Sequence, residues 1–330
     1  MPNPATDRQP TGSEAPHQGL SPSILRDYAT IDVMNHLSEV RRDLVPDPFA
    51  FREFQIMRGT TFKALSRKHP GGDSHGAPLA GHDSLASCLA DMDELGYTHI
   101  SVCATKMWSY YYHRDFILNS PIEPIGDCVK TSRGRILGAA SYDPFRITES
   151  LREIERGVAD YGFNYVWFHP LSYGLPPNDR RFYPLYAKCV ELDIAVGFQV
   201  GHSAEVLPSE HGRPMLADDV AIEFPDLRIN LSHTGWPWVD EWCSMLWRHP
   251  NVYGDISAYY PKSLDERLIR FMDSNRGRDK VLFGTNGLGL RRCKEEFLGL
   301  DISEATKRAV LYDNGVRFFK LDATSATTTF

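Results

Sequence analysis

Along most of the chain, short apolar runs rich in β-branched and aromatic residues alternate with longer stretches in which apolar residues recur every three to four positions. The runs Thr30–Val33, Thr98–Cys103, Ile136–Ala140, Tyr165–Phe168, Ala195–Gln199, Arg228–Leu231, Val252–Ile256 and Lys280–Phe283 predict strands. Between them the spacing predicts helices over Asp83–Leu95, capped by Asp83 or Ser84 and stopped at Gly96, and over Thr148–Tyr161 before Gly162. Similar spacing marks Asp179–Leu192 and Ser263–Asp273, the latter with Ser263 as cap. Another helix is expected to begin at Gly235-Trp-Pro-Trp238, with Pro237 at a first helical position. Strands alternating with crossover helices argue for an α/β fold with a parallel sheet, and eight such strands for a closed (β/α)8 TIM barrel.

The periodic pattern occupies about 25–321 as one domain. Residues 1–24, rich in Pro, Ser, Gln and Gly, read as a flexible arm, and residues 322–330 as a flexible tail. The stretch from about Leu37 to Ala80 exceeds a minimal barrel. It holds Pro46, Pro48 and His69-Pro-Gly-Gly and follows strand one at the carboxyl end, so it reads as a lid-like insertion with short helices of its own. A second insertion, Trp108-Ser-Tyr-Tyr-Tyr-His113-Arg114, follows strand two. Its aromatics, Trp108 and Tyr112 among them, either form a surface for a planar substrate or pack the lid on the barrel.

Composition narrows the functional classes. The 330 residues carry a formal net charge of −7 with no long basic run, which argues against nucleic acid as a partner. No apolar stretch is long enough for a membrane span and none reads as a leader, so no membrane partner and a cytoplasmic location are expected. Six scattered cysteines without metal-like spacing read as buried free thiols. The cluster Trp236, Trp238, Trp242 and Trp247 reads first as packing or a homodimer contact.

In a barrel of this kind, polar residues at the carboxyl ends of strands carry the chemistry. Strand one ends with Asp32, Met34 and His36 on one face, strand four at His169, strand five at Gln199 and then His202, and strand six at His233. Strand seven carries Asp255 and Ser257, and strand eight ends near Asn286. Histidines at four strand ends suit acid, base or oxyanion-donor roles near neutral pH. Asp255 either orients one of them or bonds to backbone. Arg292, at the same mouth, either pairs with a substrate carboxylate or is an ordinary solvent charge.

These segments resemble the amidohydrolase-related enzymes that include aminocarboxymuconate-semialdehyde decarboxylase. Leu231-Ser-His-Thr-Gly-Trp-Pro-Trp238 resembles that family's sixth strand, Asn251-Val-Tyr-Gly-Asp-Ile-Ser-Ala258 its seventh, Val281-Leu-Phe-Gly-Thr-Asn286 its eighth, and Leu311-Tyr-Asp-Asn-Gly-Val-Arg-Phe-Phe319 its closing helix. The resemblance implies a divalent-metal site beginning Asp-x-His-x-His, yet here Met34 takes the first histidine's place and His36 the second. Gln199 falls on the fifth-strand histidine, unless His202 takes that place, and Asn286 falls on the eighth-strand aspartate. Thioether and amide are poor substitutes for imidazole and carboxylate.

The sequence therefore leads to an expectation of a divergent, metal-independent enzyme with no cofactor, acting on a carbonyl- or carboxylate-bearing small molecule. His233 is the expected acid/base, with His36, His202 and Asp255 assisting, and Gln199, Asn286 and His169 holding substrate together with Trp108, Tyr112 and Arg292. The reaction is expected to be hydrolysis of a lactone, ester or C–C bond, or decarboxylation or cyclisation. One alternative is a conventional hydrolase or decarboxylase using Zn²⁺ or Mn²⁺, with His36, His202 and His233 as ligands. Another is a barrel that binds a ligand without turning it over.

Overall fold

Ten strands occur in a computed structural model that describes residues 19–44, 50–60, 81–112 and 115–321. They are β1 (Thr30–His36), β2 (Tyr97–Cys103), β3 (Lys106–Trp108), β4 (Phe116–Asn119), β5 (Ile136–Ala140), β6 (Tyr165–Phe168), β7 (Ala195–Gln199), β8 (Ile229–Ser232), β9 (Val252–Asp255) and β10 (Val281–Leu282). Eight of them form one sheet in the order β1-β2-β5-β6-β7-β8-β9-β10, every adjacent pair parallel. The ring closes where Val33 N donates to Phe283 O at 2.9 Å and Asn286 N to Met34 O at 2.9 Å. This is the expected TIM barrel. Its strands read as nearly unbroken apolar runs because both faces are buried, the outer against helices and the inner against one another.

Inside the barrel, space is allotted by single residues. A Cβ on Gly197 would lie 1.7 Å from the Tyr165 hydroxyl, so the bulk of β6 is accommodated by the missing side chain of β7. At the amino end of the strands, Phe318 and Phe319 of the closing helix pack edge-on against Tyr165 and shut the interior. All six cysteines are free, and five are buried. No described helix is long and apolar enough to cross a membrane.

Where capping chemistry is explicit, helices begin and end as the pattern predicts. Leu85–Leu95 starts at Ser84, whose hydroxyl accepts from Ser87 N, and stops at Gly96 with φ +75°. Ile147–Tyr161 stops at Gly162 with φ +71°. Three expectations need correction. The third helix begins at Tyr183 rather than Asp179, because the Asp179 carboxylate accepts from Arg181 N at 2.9 Å and holds the chain in a turn. The next is Glu266–Met272, capped by Asp265 rather than Ser263, which lies in a 3-10 turn. Pro237 is not a first helical residue either: residues 235–238 form a turn with Trp238 N on Gly235 O, and the helix is Val239–Arg248.

The segment after β1 contains the helices Leu37–Arg41 and Arg52–Gly59. Residues 45–49 and 61–80, with Pro46, Pro48 and His69, lie outside the described residues, as do 1–18, 113–114 and 322–330. A short helix, Pro22–Arg26, falls at the end of the stretch read as an arm. The insertion after β2 is a β-hairpin, β3 paired antiparallel with β4. Phe54 and Met57 of the Arg52–Gly59 helix pack on it through Met107 and Ile117.

Candidate active site

At the end of β8 the chain turns through His233, whose left-handed backbone (φ +73°) is held by its N–H donating to Asp255 Oδ1 at 3.0 Å. Ser257 N also donates to that oxygen at 3.0 Å, and so does the Ser257 hydroxyl. With its hydrogen directed to Asp255, Ser257 Oγ accepts from His233 Nδ1, 2.7 Å away. The neutral ring therefore carries its lone pair on Nε2. The second Asp255 oxygen accepts from Asn230 Nδ2 at 2.7 Å, and the same amide lies 3.1 Å from the Tyr165 hydroxyl. A polar chain thus runs from the barrel interior to His233. Burial lowers the pKa of this imidazole, keeping it an uncharged base.

His36 closes β1, with Nδ1 2.9 Å from Thr105 Oγ1 and its ring edge-on to Trp167. Burial, then the charge of a protonated His233, pushes its pKa down to about 4, opposed in part by the Asn286 side chain. Asn286 has φ +50° and a buried Oδ1 without a hydrogen-bond partner. His169, beyond β6, accepts from Ser172 N at Nδ1 (3.2 Å) and caps the helix Pro170–Tyr173. Its neutral ring consequently bears hydrogen on Nε2, which faces Ser203 Oγ at 3.2 Å. Burial and the charge of His233 push it down to about 3. His36, His169 and His233 form one electrostatic group, since a proton on His233 opposes one on either of the others. Gln199, at the end of β7, is buried and donates to His202 O at 3.3 Å.

The other candidates stand apart from this group. The His202 ring is exposed, bonded to Ser209 and edge-on to Trp236 and Trp238. Trp108 packs on Phe116 and Phe145, and Tyr112 is exposed beside Phe51. Arg292 lies over the Tyr260 ring and donates to Glu296 at 2.8 Å.

Two carboxylates enter that the sequence reading did not single out. The Ser203 hydroxyl donates to Glu205 Oε2. Glu53, fully buried on the Arg52–Gly59 helix, accepts at Oε1 from Ser109 Oγ (2.6 Å), Tyr110 N (2.6 Å) and Tyr111 N (3.3 Å), while its Oε2 has no partner. Burial, reinforced by Glu53, raises the pKa of Glu205.

Among curated proteins, the chain is similar to a 2-keto-4-carboxy-3-hexenedioate hydratase of Sphingobium sp., 28% identical over 217 residues. That alignment covers 54% of this chain and 63% of the relative, so the chain spans less than two thirds of it. Among solved structures, an uncharacterized TIM-barrel protein of Bordetella bronchiseptica superposes with TM-score 0.69 at 22% identity, covering 91% of this chain and all of that one. A dihydroxybenzoic acid decarboxylase of Polaromonas sp., crystallised with manganese and 2-nitroresorcinol, gives TM-score 0.60 at 17% identity, with coverage of 91% and 100%.

That manganese overturns the expectation of a site with no cofactor, because a barrel of this fold is complexed with a divalent ion. Met34 Sδ lies against Cys103 Sγ at 3.9 Å, and Asn286 offers only a neutral oxygen. Both oxygens of Asp255 are engaged, as are both of Asp32, which accept from Met34 N, Thr285 N, Asn35 Nδ2 and the Thr285 hydroxyl. Among the described residues, no three His, Cys, Asp or Glu side chains converge as ligands. Manganese prefers oxygen donors, carboxylates above all. These residues do not fit it as a full set.

The barrel and the histidine-bearing strand ends agree with one further match, a family model described as Amidohydrolase that covers residues 122–321, more than half of the chain: this protein belongs to the amidohydrolase family, as a divergent member.

Proposed function

We propose that the chain is an acid/base enzyme that adds water to, or removes it from, a small unsaturated molecule bearing a carbonyl group. The observation that carries this reading is the chain Asp255–Ser257–His233, which leaves an uncharged Nε2 lone pair at the carboxyl end of the barrel. In the hydration direction, His233 Nε2 takes a proton from water as its oxygen bonds to carbon, and electron density moves onto the carbonyl oxygen. Gln199, Asn286 and His36 border the same mouth and are assigned to holding the substrate's oxygens. The likeness to a hydratase of keto acids supports this substrate class.

Decarboxylation is the second reading, favoured by the amide at Asn286, which supplies no base for activating water. One assay separates the two. A panel of 2-keto-3-enoic acids and hydroxybenzoates is incubated with the enzyme, with and without added Mn²⁺, following enone absorbance and CO₂ release. On whichever substrate turns over, His233→Ala is expected to lower kcat by about 10²- to 10⁴-fold. An unchanged kcat would remove His233 from the chemistry.

A further inference from the structure

A base alone leaves the proton inventory incomplete, because the carbon or oxygen that gains electron density must be protonated from somewhere. The second serine chain of the site supplies a donor with a defined direction. His169 Nδ1 accepts the Ser172 N–H, so its hydrogen is on Nε2 and is offered to Ser203 Oγ. Ser203 then directs its own hydrogen to Glu205 Oε2. Every hydrogen in this chain runs toward that one oxygen, so a proton held by Glu205 itself can reside only on Oε1. The His169–Ser203–Glu205 chain begins beside His36 and His233, within their electrostatic reach. The Glu205 side chain is only partly covered, whereas the carboxylate beside it, Glu53, is fully buried with an orphaned oxygen.

We propose that Glu205 is the acid of the active site, delivering its Oε1 hydrogen to the substrate while His233 Nε2 accepts one. This rests on the reading of His233 as base. In hydration, a C–O bond forms as a water O–H breaks toward His233. The π pair moves through the enolate to the adjacent carbon, which gains the Glu205 hydrogen. Imidazolium and carboxylate remain, and exchange with solvent restores both, so no electrons are gained or lost. Both serine chains run from imidazole through hydroxyl to carboxylate, and two neutral groups, the imidazole end of one as acceptor and the carboxylate end of the other as donor, are the arrangement such a reaction needs. Among the described residues, the charged or titratable groups facing Glu205 are Glu53 from the Arg52–Gly59 helix and His169, through Ser203, from the end of β6; His202 lies on its own loop and turns toward Ser209. A like charge at Glu53 favours the protonated form of Glu205.

The first test needs no substrate. Infrared spectra of the full-length protein in D₂O at pH 7 are compared with those of Glu205→Gln and Glu53→Gln. A protonated-carboxyl C=O band present in the wild type and absent from Glu205→Gln is expected; loss of carboxylate absorbance alone, with no such band, overturns the proposal. The second test uses the 2-keto-3-enoic acid that the wild type turns over best. Glu205→Gln is expected to lower kcat about 100-fold with little change in KM and to abolish the alkaline fall of the pH profile, while Glu205→Asp recovers part of the rate. A Glu205→Gln enzyme with wild-type kcat and an intact alkaline limb refutes the acid role even if His233→Ala is inactive. If His233→Ala is instead fully active and Glu205→Gln is not, the base assignment fails and the acid assignment stands.

Discussion

Three imidazoles are buried where a proton is unwelcome, and this links stability to pH. A free histidine titrates at 6.5, whereas folded His36 is pushed down to about 4 and His169 to about 3. Below about pH 6.5 the unfolded chain therefore binds protons that the native one refuses, and stability falls as pH drops through that window. It is fully present above pH 7 and lost progressively down to the folded values. His36→Gln is expected to flatten this dependence, whatever it does to stability at neutral pH. Urea midpoints at pH 7.5 and pH 5 measure the slope for each protein, and equal slopes would contradict the assignment. At this scale the sequence was informative where residues two apart share a face, as Asp255 and Ser257 do on leaving β9. It was silent on Ser203 and Glu205, because a serine and a glutamate on a loop carry no spacing signal. His202, placed by sequence next to Gln199, turns outward because its backbone N–H is taken by Trp236 O and its ring by Ser209.

Among the elements, the contact with most bearing on function joins the Arg52–Gly59 helix to the tip of the β3–β4 hairpin through one carboxylate. Glu53 takes three hydrogen bonds from Ser109, Tyr110 and Tyr111, and the apolar contacts below it are few. Removing one bond to a charged group costs about 1.5–3 kcal/mol. Ser109→Ala is therefore expected to speed amide hydrogen exchange about tenfold or more in residues 52–59 and 109–111, leaving β5 to β9 unchanged. Uniform acceleration across the barrel would show instead that the two elements are not a separate unit. Helices with explicit stops, such as the one ending at Gly96, were legible from periodicity. The hairpin was not, since strands of three and four residues are too short to show alternation. Asp179 shows the other failure, a side chain-to-backbone bond overriding an apolar pattern that continues through it.

The barrel as a whole was legible because eight apolar runs, each long enough to cross it, are separated by amphipathic stretches. The site was legible only in part, since its histidines fall at strand ends while Glu53 and Glu205 lie off the barrel strands, on a helix and on a loop. The two ends of the barrel differ in what they are made of. The amino end is closed by aromatic packing of Phe318 and Phe319 on Tyr165 and Tyr253. Phe318→Ala should cost about 3–5 kcal/mol, read as a lowered urea midpoint, and an unchanged midpoint would show that the plug carries little of the fold's stability. The carboxyl end is lined by imidazoles, amides and hydroxyls. Because the aromatic plug and His233 lie at opposite ends, a substitution at the mouth leaves the packing of the plug untouched. Met34 and Asn286 stand at that mouth, so a thioether and an amide there leave the foundation of the vessel as it is.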